Sequence, residues 1–129
     1  MRTYVKIDRD GELLRVELTK NQYDLVSSAL IVFPSLVKSR EGRLLMLGRG
    51  FDELQSAVAD AGTTDLGWRV VICSIEGVHA LHSLLVCLPL LYLTEESFVI
   101  RVKFFKEQLI GVASGLREGL KKIGDESNL

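Results

Sequence analysis

The chain has 129 residues, enough for one domain with a sizeable core, and its 47% hydrophobic and 26% charged content is that of an ordinary globular protein. Sixteen basic and seventeen acidic side chains leave a formal charge of -1, so there is no general electrostatic pull toward nucleic acid or an anionic membrane. Neither is expected as a partner, and two cysteines are too few for a disulfide framework.

From the amino terminus, Thr3 to Asp8 alternates as a strand, Asp10-Gly11 supplies turn chemistry, and Leu14, Val16 and Leu18 alternate with Arg15 and Glu17. This pattern predicts an opening β-hairpin, wet on one face and buried on the other. The stretch MRTYVKIDRDGELL has no apolar h-region, so no secretory signal is expected and the expected address is the cytoplasm. Thr19, with Gln22 three residues on, forms a capping box ahead of a first helix over Lys20 to Lys38. Pro34 is expected to end or kink that helix.

After a connection over Ser35 to Gly42, the nearly continuous apolar run Arg43 to Leu47 is expected as a third, central strand. Gly48-Arg49-Gly50 turns the chain into a helix from Asp52 to about Ala61, with Gly62 as a left-handed stop. Thr63 to Gly67 then leads into a fourth strand, Trp68 to Cys73.

Ile75 to Leu93 is the most apolar stretch. Val78, Leu81, Leu85 and Leu88 recur at helical spacing, and Leu84, Cys87 and Leu91 widen the stripe into most of a cylinder. The uncharged run from Leu84 to Leu93 falls short of the roughly 20 residues a bilayer needs, which makes this a buried core helix ending or kinking at Pro89. Leu90 to Ser97 connects it to a fifth strand, Phe98 to Lys103, and Phe105 to about Lys122 forms a last helix with Gly111, Gly115 and Gly119 on one side. Gly124 to Leu129 reads as a frayed tail.

Shifting the sequence by 55 positions lays Val16 on Val71, Ser28 on Ser83, Pro34 on Pro89, Glu41 on Glu96 and Leu54 on Leu109, and apolar positions such as Tyr23 with Val78, Phe33 with Leu88 and Leu44 with Val99 also agree. The chain therefore reads as two copies of a strand-helix-strand-helix unit, about 13–62 and 68–122, within a single domain 1–129. The expected fold is α+β, a mixed five-stranded sheet with four helices in the order β-βαβα-βαβα. Its expected form is a two-layer sandwich with the helices on one face.

Candidate chemistry is sparse. Glu76, His79 and His82 stand three apart, a spacing that spreads them around the helix; the corresponding Asn21, Asp24 and Ser27 suit no metal, so the set reads as a solvent face. Gly48-Arg49-Gly50 lacks both the Walker and the dinucleotide patterns and reads first as a flexible turn, with a small anionic ligand at Arg49 as an alternative. Cys73 and Cys87 sit in apolar runs, as buried reduced thiols do. No nucleophile has a partnered base, so no enzyme, no metal and no cofactor is expected.

Charge is uneven. Phe51 to Gly67 carries Asp52, Glu53, Asp60 and Asp65 with no basic residue, whereas Lys103 to Lys122 carries five basic side chains against two acidic. Such a surface reads as ordinary solvated faces or as a two-toned docking surface for a protein partner. The segments VELTKNQYDLVSSAL, GRLLMLGRGFDELQSAVADA and ESFVIRVKFFKEQLIGVASGL resemble strand-helix units of small immunity proteins from bacterial polymorphic-toxin systems. That resemblance implies a cytoplasmic, non-enzymatic protein that neutralises a cognate toxin by docking on it, through Arg49, Asp52, Glu53, Asp60 and Asp65. A homodimeric structural or adaptor module, using apolar surface around Leu84 to Leu93, stands beside it as an alternative.

Overall fold

The computed structural model describes residues 5–127. Thr3 and Tyr4 of the predicted first strand, and Asn128 and Leu129 of the predicted tail, lie outside them. Strands β1 (Lys6–Asp10) and β2 (Leu13–Leu18) form the expected hairpin, with Gly11 at φ 67 in its turn, where a side chain would strain the backbone. Three helices follow: α1 (Lys20–Leu36), α2 (Arg40–Leu47) and α3 (Phe51–Ala59). Two strands, β3 (Gly62–Thr63) and β4 (Arg69–Cys73), then lead to α4 (Ile75–Leu90), α5 (Glu95–Val102) and α6 (Lys106–Ser127).

The expected five-stranded mixed sheet with four helices is not what forms. The described residues make a four-stranded, wholly antiparallel sheet in the order β1-β2-β4-β3, together with six helices. The predicted third strand, Arg43 to Leu47, is helical, and so is the predicted fifth, Phe98 to Lys103, as far as Val102. Short apolar runs do not distinguish strand from helix by periodicity, and the decisive signal lies just upstream. Ser39 and Thr94 are N-caps whose hydroxyls accept from the Gly42 and Ser97 amides at 3.0 and 3.1 Å, closing the first turns of α2 and α5.

Pro34 and Pro89 fall in the last turns of α1 and α4, which end at Leu36 and Leu90, close to where the prolines were expected to stop them. Smaller expectations are corrected. Gly62 is not left-handed; that role falls to Gly48 and, at the end of α5, to Lys103 at φ 72. The final helix continues through Ser127 rather than fraying at Gly124. The Thr19 capping box forms as read, with both its hydrogen bonds present.

One face of the sheet presents Ile7, Leu14, Val16, Leu18, Val71 and Cys73 to the core. The other carries charges, with Lys6 paired across the strands to Glu17 at 3.8 Å and Arg15 to Glu17 along β2 at 3.3 Å. Helix α4 lies at the centre of the buried side. Val78, Ala80, Leu81, Leu84, Leu85 and Leu88 are fully buried along it, against α1, α2, α3, α6 and the sheet. Burial of each such leucine is worth about 1.5–3 kcal/mol, so this helix carries much of the stability. Helix α6 meets β1 closely, where a Cβ on Gly119 would stand 2.7 Å from the Val5 carbonyl oxygen.

Candidate functional site

Helix α2 places Arg40 and Arg43 three residues apart, hence on neighbouring positions of one side. Arg43 reaches back to the end of α1, its Nη1 donating to the carbonyls of Val37 and Lys38 at 3.1 Å each. Those acceptors are neutral, so they orient the guanidinium without cancelling its charge. The helix stops at Gly48, φ 76, whose amide donates to the Leu44 carbonyl. Two residues on, Gly50 presses its backbone on the first turn of α4; a Cβ there would come 2.0 Å from the Glu76 carbonyl oxygen. The two glycines thus have separate reasons, a left-handed stop and a close approach.

Between them Arg49 stands exposed at the rim of two hollows. One, of about 430 Å³, is lined by Arg40, Arg43, Leu44, Arg49, Phe51 and Asp52. The other, of about 490 Å³, lies between Arg49 and Ile75, Glu76 and His79 of α4. Three arginines and one aspartate thus line the first cleft. Among the described residues, none of the three arginines lies within ion-pair distance of a carboxylate. Leu44 and Leu45 of the same helix are exposed, Leu45 at 87%.

The five residues singled out from the sequence do not all line one cleft. Arg49 and Asp52 share the cleft. Glu53 turns to α4 instead: its carboxylate accepts from the Ser74 amide at 3.0 Å and from the Ser74 hydroxyl at 2.5 Å. That hydroxyl in turn accepts from the Gly77 amide at 3.4 Å, so Glu53 braces the N-cap of α4. Asp60 is the C-cap residue of α3, eight residues beyond Asp52 and so about 12 Å along the axis. Asp65 lies beyond β3, in a hollow with Lys6, Glu17 and Trp68.

Arg40, Arg43, Leu44 and Phe51 escaped the sequence reading. Their signal was present, since Lys38, Arg40, Arg43 and Arg49 crowd one short stretch in which Glu41 is the one acid. The charge asymmetry visible in the sequence starts at Phe51, and the expected strand over Arg43 to Leu47 separates Arg43 from Arg40.

The remaining reactive side chains are engaged elsewhere. His82 accepts from Arg117 at 2.7 Å, and burial, then the Arg117 and His79 charges, hold its pKa below the usual value. His79 instead faces Gly48. Among the described residues no group of three or more His, Cys, Asp or Glu side chains is placed to hold a metal ion. Burial, reinforced by Glu53, pushes the Cys73 thiol up to about 11, and burial raises that of Cys87 as well. A further hollow of about 400 Å³, largely apolar, lies between α1 and α3, bounded by Tyr23, Leu30, Ile31, Pro34 and Val58. Among the described residues no helix is long and apolar enough to cross a membrane. No protein-family model, curated protein or solved structure matches the chain.

Proposed function

We propose that this chain is a non-enzymatic protein-binding module that docks a partner at the corner between α2 and α3. One observation carries the reading: that corner gathers Arg40, Arg43 and Arg49 around a cleft with Leu44, Phe51 and Asp52, beside an almost fully exposed Leu45. Arginines and large apolar side chains meeting at one spot make the composition of an interface centre, where a few anchors supply most of the affinity. Ordinary solvated faces favour lysine and glutamate and scatter their leucines singly.

The specific form we propose is the one the immunity-protein resemblance implies: a cytoplasmic protein that neutralises a toxin made by the same cell by covering part of its surface. A cationic cleft suits an acidic patch on such a partner better than the basic groove of a nuclease, whose blocker should be acidic. Affinity capture from the native host tests the docking. Wild type should retain one stoichiometric protein, and the Leu45→Ser/Arg49→Ser double variant should lose it without loss of stability, because both side chains are exposed. Recovery of nothing but the chain itself by wild type would refute the reading. The gene directly beside the coding sequence should then encode the captured toxin.

A further inference from the structure

The docking reading leaves open what the cleft recognises, and the geometry points to carboxylates: we propose that the α2–α3 cleft seats an acidic segment of the protein partner, its Asp or Glu side chains bracketed by apolar ones. The inference rests on the docking reading above.

Three arginines line this cleft on a chain whose formal charge is -1, so the positive charge is a local feature rather than a property of the whole molecule. A guanidinium is a planar fork of donors that matches a carboxylate through paired hydrogen bonds. Arg43 is already held in place, because one of its nitrogens serves the Val37 and Lys38 carbonyls, and a pre-positioned fork loses little freedom on binding. The volume of about 430 Å³ falls within the range of small-ligand sites and fits a few side chains rather than a whole element.

The cleft is also particular to this corner. Helix α5 starts after a hydroxyl cap as α2 does, yet it carries Glu95 where α2 has Arg40, and fully buried Phe98 where α2 has Arg43. The architecture itself therefore does not require arginines there. Leu44 and Phe51 in the lining, with Leu45 beside it, decide between a peptide and free phosphate. An inorganic anion makes no use of apolar walls, and the Asp52 carboxylate opposes its second negative charge. A peptide carboxylate brings apolar neighbours and a backbone amide that Asp52 accepts.

Fluorescence anisotropy with a labelled short peptide alternating Glu and Leu tests the assignment on the full chain. Three controls accompany it: the same peptide with Gln in place of Glu, inorganic phosphate as competitor, and a series of salt concentrations. The Glu peptide should bind wild type and weaken as salt rises. Arg40→Gln/Arg49→Gln should bind about tenfold more weakly, whereas Lys103→Gln/Lys121→Gln, which removes the same charge elsewhere, should bind as wild type does. Equal weakening in the two double variants, equal binding of the Gln peptide, or displacement by phosphate at concentrations matching the peptide would each overturn the proposal. Capture of the native partner separates the two readings. If wild type and Arg40→Gln/Arg49→Gln both retain a partner, docking stands and the carboxylate site falls; if the peptide binds as expected but no partner is captured, the site stands and docking falls.

Discussion

Gly50→Ala isolates a single steric contact. At φ -84 and ψ 4 the backbone suits alanine as well as glycine, so with open space around it the substitution would stabilise by roughly 0.4–1 kcal/mol through the unfolded chain. Space is absent: the new methyl would lie 2.0 Å from the Glu76 oxygen, 2.3 Å from its carbonyl carbon and 2.7 Å from the Gly77 nitrogen. All three are backbone atoms of α4 that cannot rotate away, so α3 and α4 must part by about 1 Å or more to reach normal contact. Overpacking costs about 1–3 kcal/mol. Separation also loosens Leu54, fully buried, and Phe51 and Val58, nearly so, against their neighbours. The expected net loss is about 3 kcal/mol, or a fall in melting temperature of roughly 10 °C for a domain of this size. Gly62→Ala is the matched control, with nothing within 4 Å of its Cβ, and should be neutral or slightly stabilising. Urea unfolding followed by far-ultraviolet circular dichroism reads both. A Gly50→Ala protein as stable as wild type, with Gly62→Ala behaving as stated, would refute the close approach of α3 to α4.

Three further outcomes are expected. Lys103 holds a left-handed φ of 72 without being glycine, so Lys103→Gly should raise stability by about 0.5–1 kcal/mol in urea unfolding; a loss would show that its side chain repays the strain. Glu53→Ala and Ser74→Ala should each cost about 1 kcal/mol, with a coupling of about 0.5–1 kcal/mol in a double-mutant cycle, and additive effects would dissolve the brace on α4. His82 has a folded pKa below its unfolded value of 6.5, so its stabilising share is complete above that value and is lost as pH falls through the folded one. Chemical-denaturation midpoints at about pH 7.5 and pH 5 should therefore lie closer together in His82→Gln than in wild type; an equal separation would exclude this histidine as the titrating group.

Much of the architecture was legible because its signals are local. The hairpin needed only alternation around Asp10-Gly11, the start of α1 only Thr19 and Gln22, and the central helix only the leucine spacing from Val78 to Leu88. The two segments expected as strands have a physical reason for forming helices unannounced: Arg43 to Leu47 and Phe98 to Lys103 are each shorter than the length at which helical and extended burial patterns separate. Their caps, Ser39 and Thr94, stand four residues ahead and should have outweighed the apolar runs. The site was legible only at Arg49 and Asp52. Arg40 and Arg43 join them only once α2 is a helix, and the partner of Glu53 is 21 residues away in sequence, beyond any local signal.

The helices that follow α1 and α4 differ in how much packing demands of them. Helix α2 begins 55 positions before α5 and α3 the same distance before α6, and Val16 faces Val71 across the antiparallel ladder. Matched position does not bring matched burial. Helix α5 sinks Phe98 and Val102 fully into the core, with Tyr92 edge-on to Phe98 at 5.4 Å, and so spends its inner side on stability. Helix α2 buries Leu47 alone, and the core behind it is closed by α4 and by Phe51 against Phe33 at 5.8 Å. With so little demanded of it by packing, α2 can turn two arginines and two leucines outward at small cost in stability. The same surplus makes a prediction about tolerance: Leu45→Asp should leave the unfolding midpoint within about 0.5 kcal/mol of wild type while abolishing partner capture. A large loss of stability there would mean that α2 is held by contacts of Leu45 and is not free to serve as a docking surface.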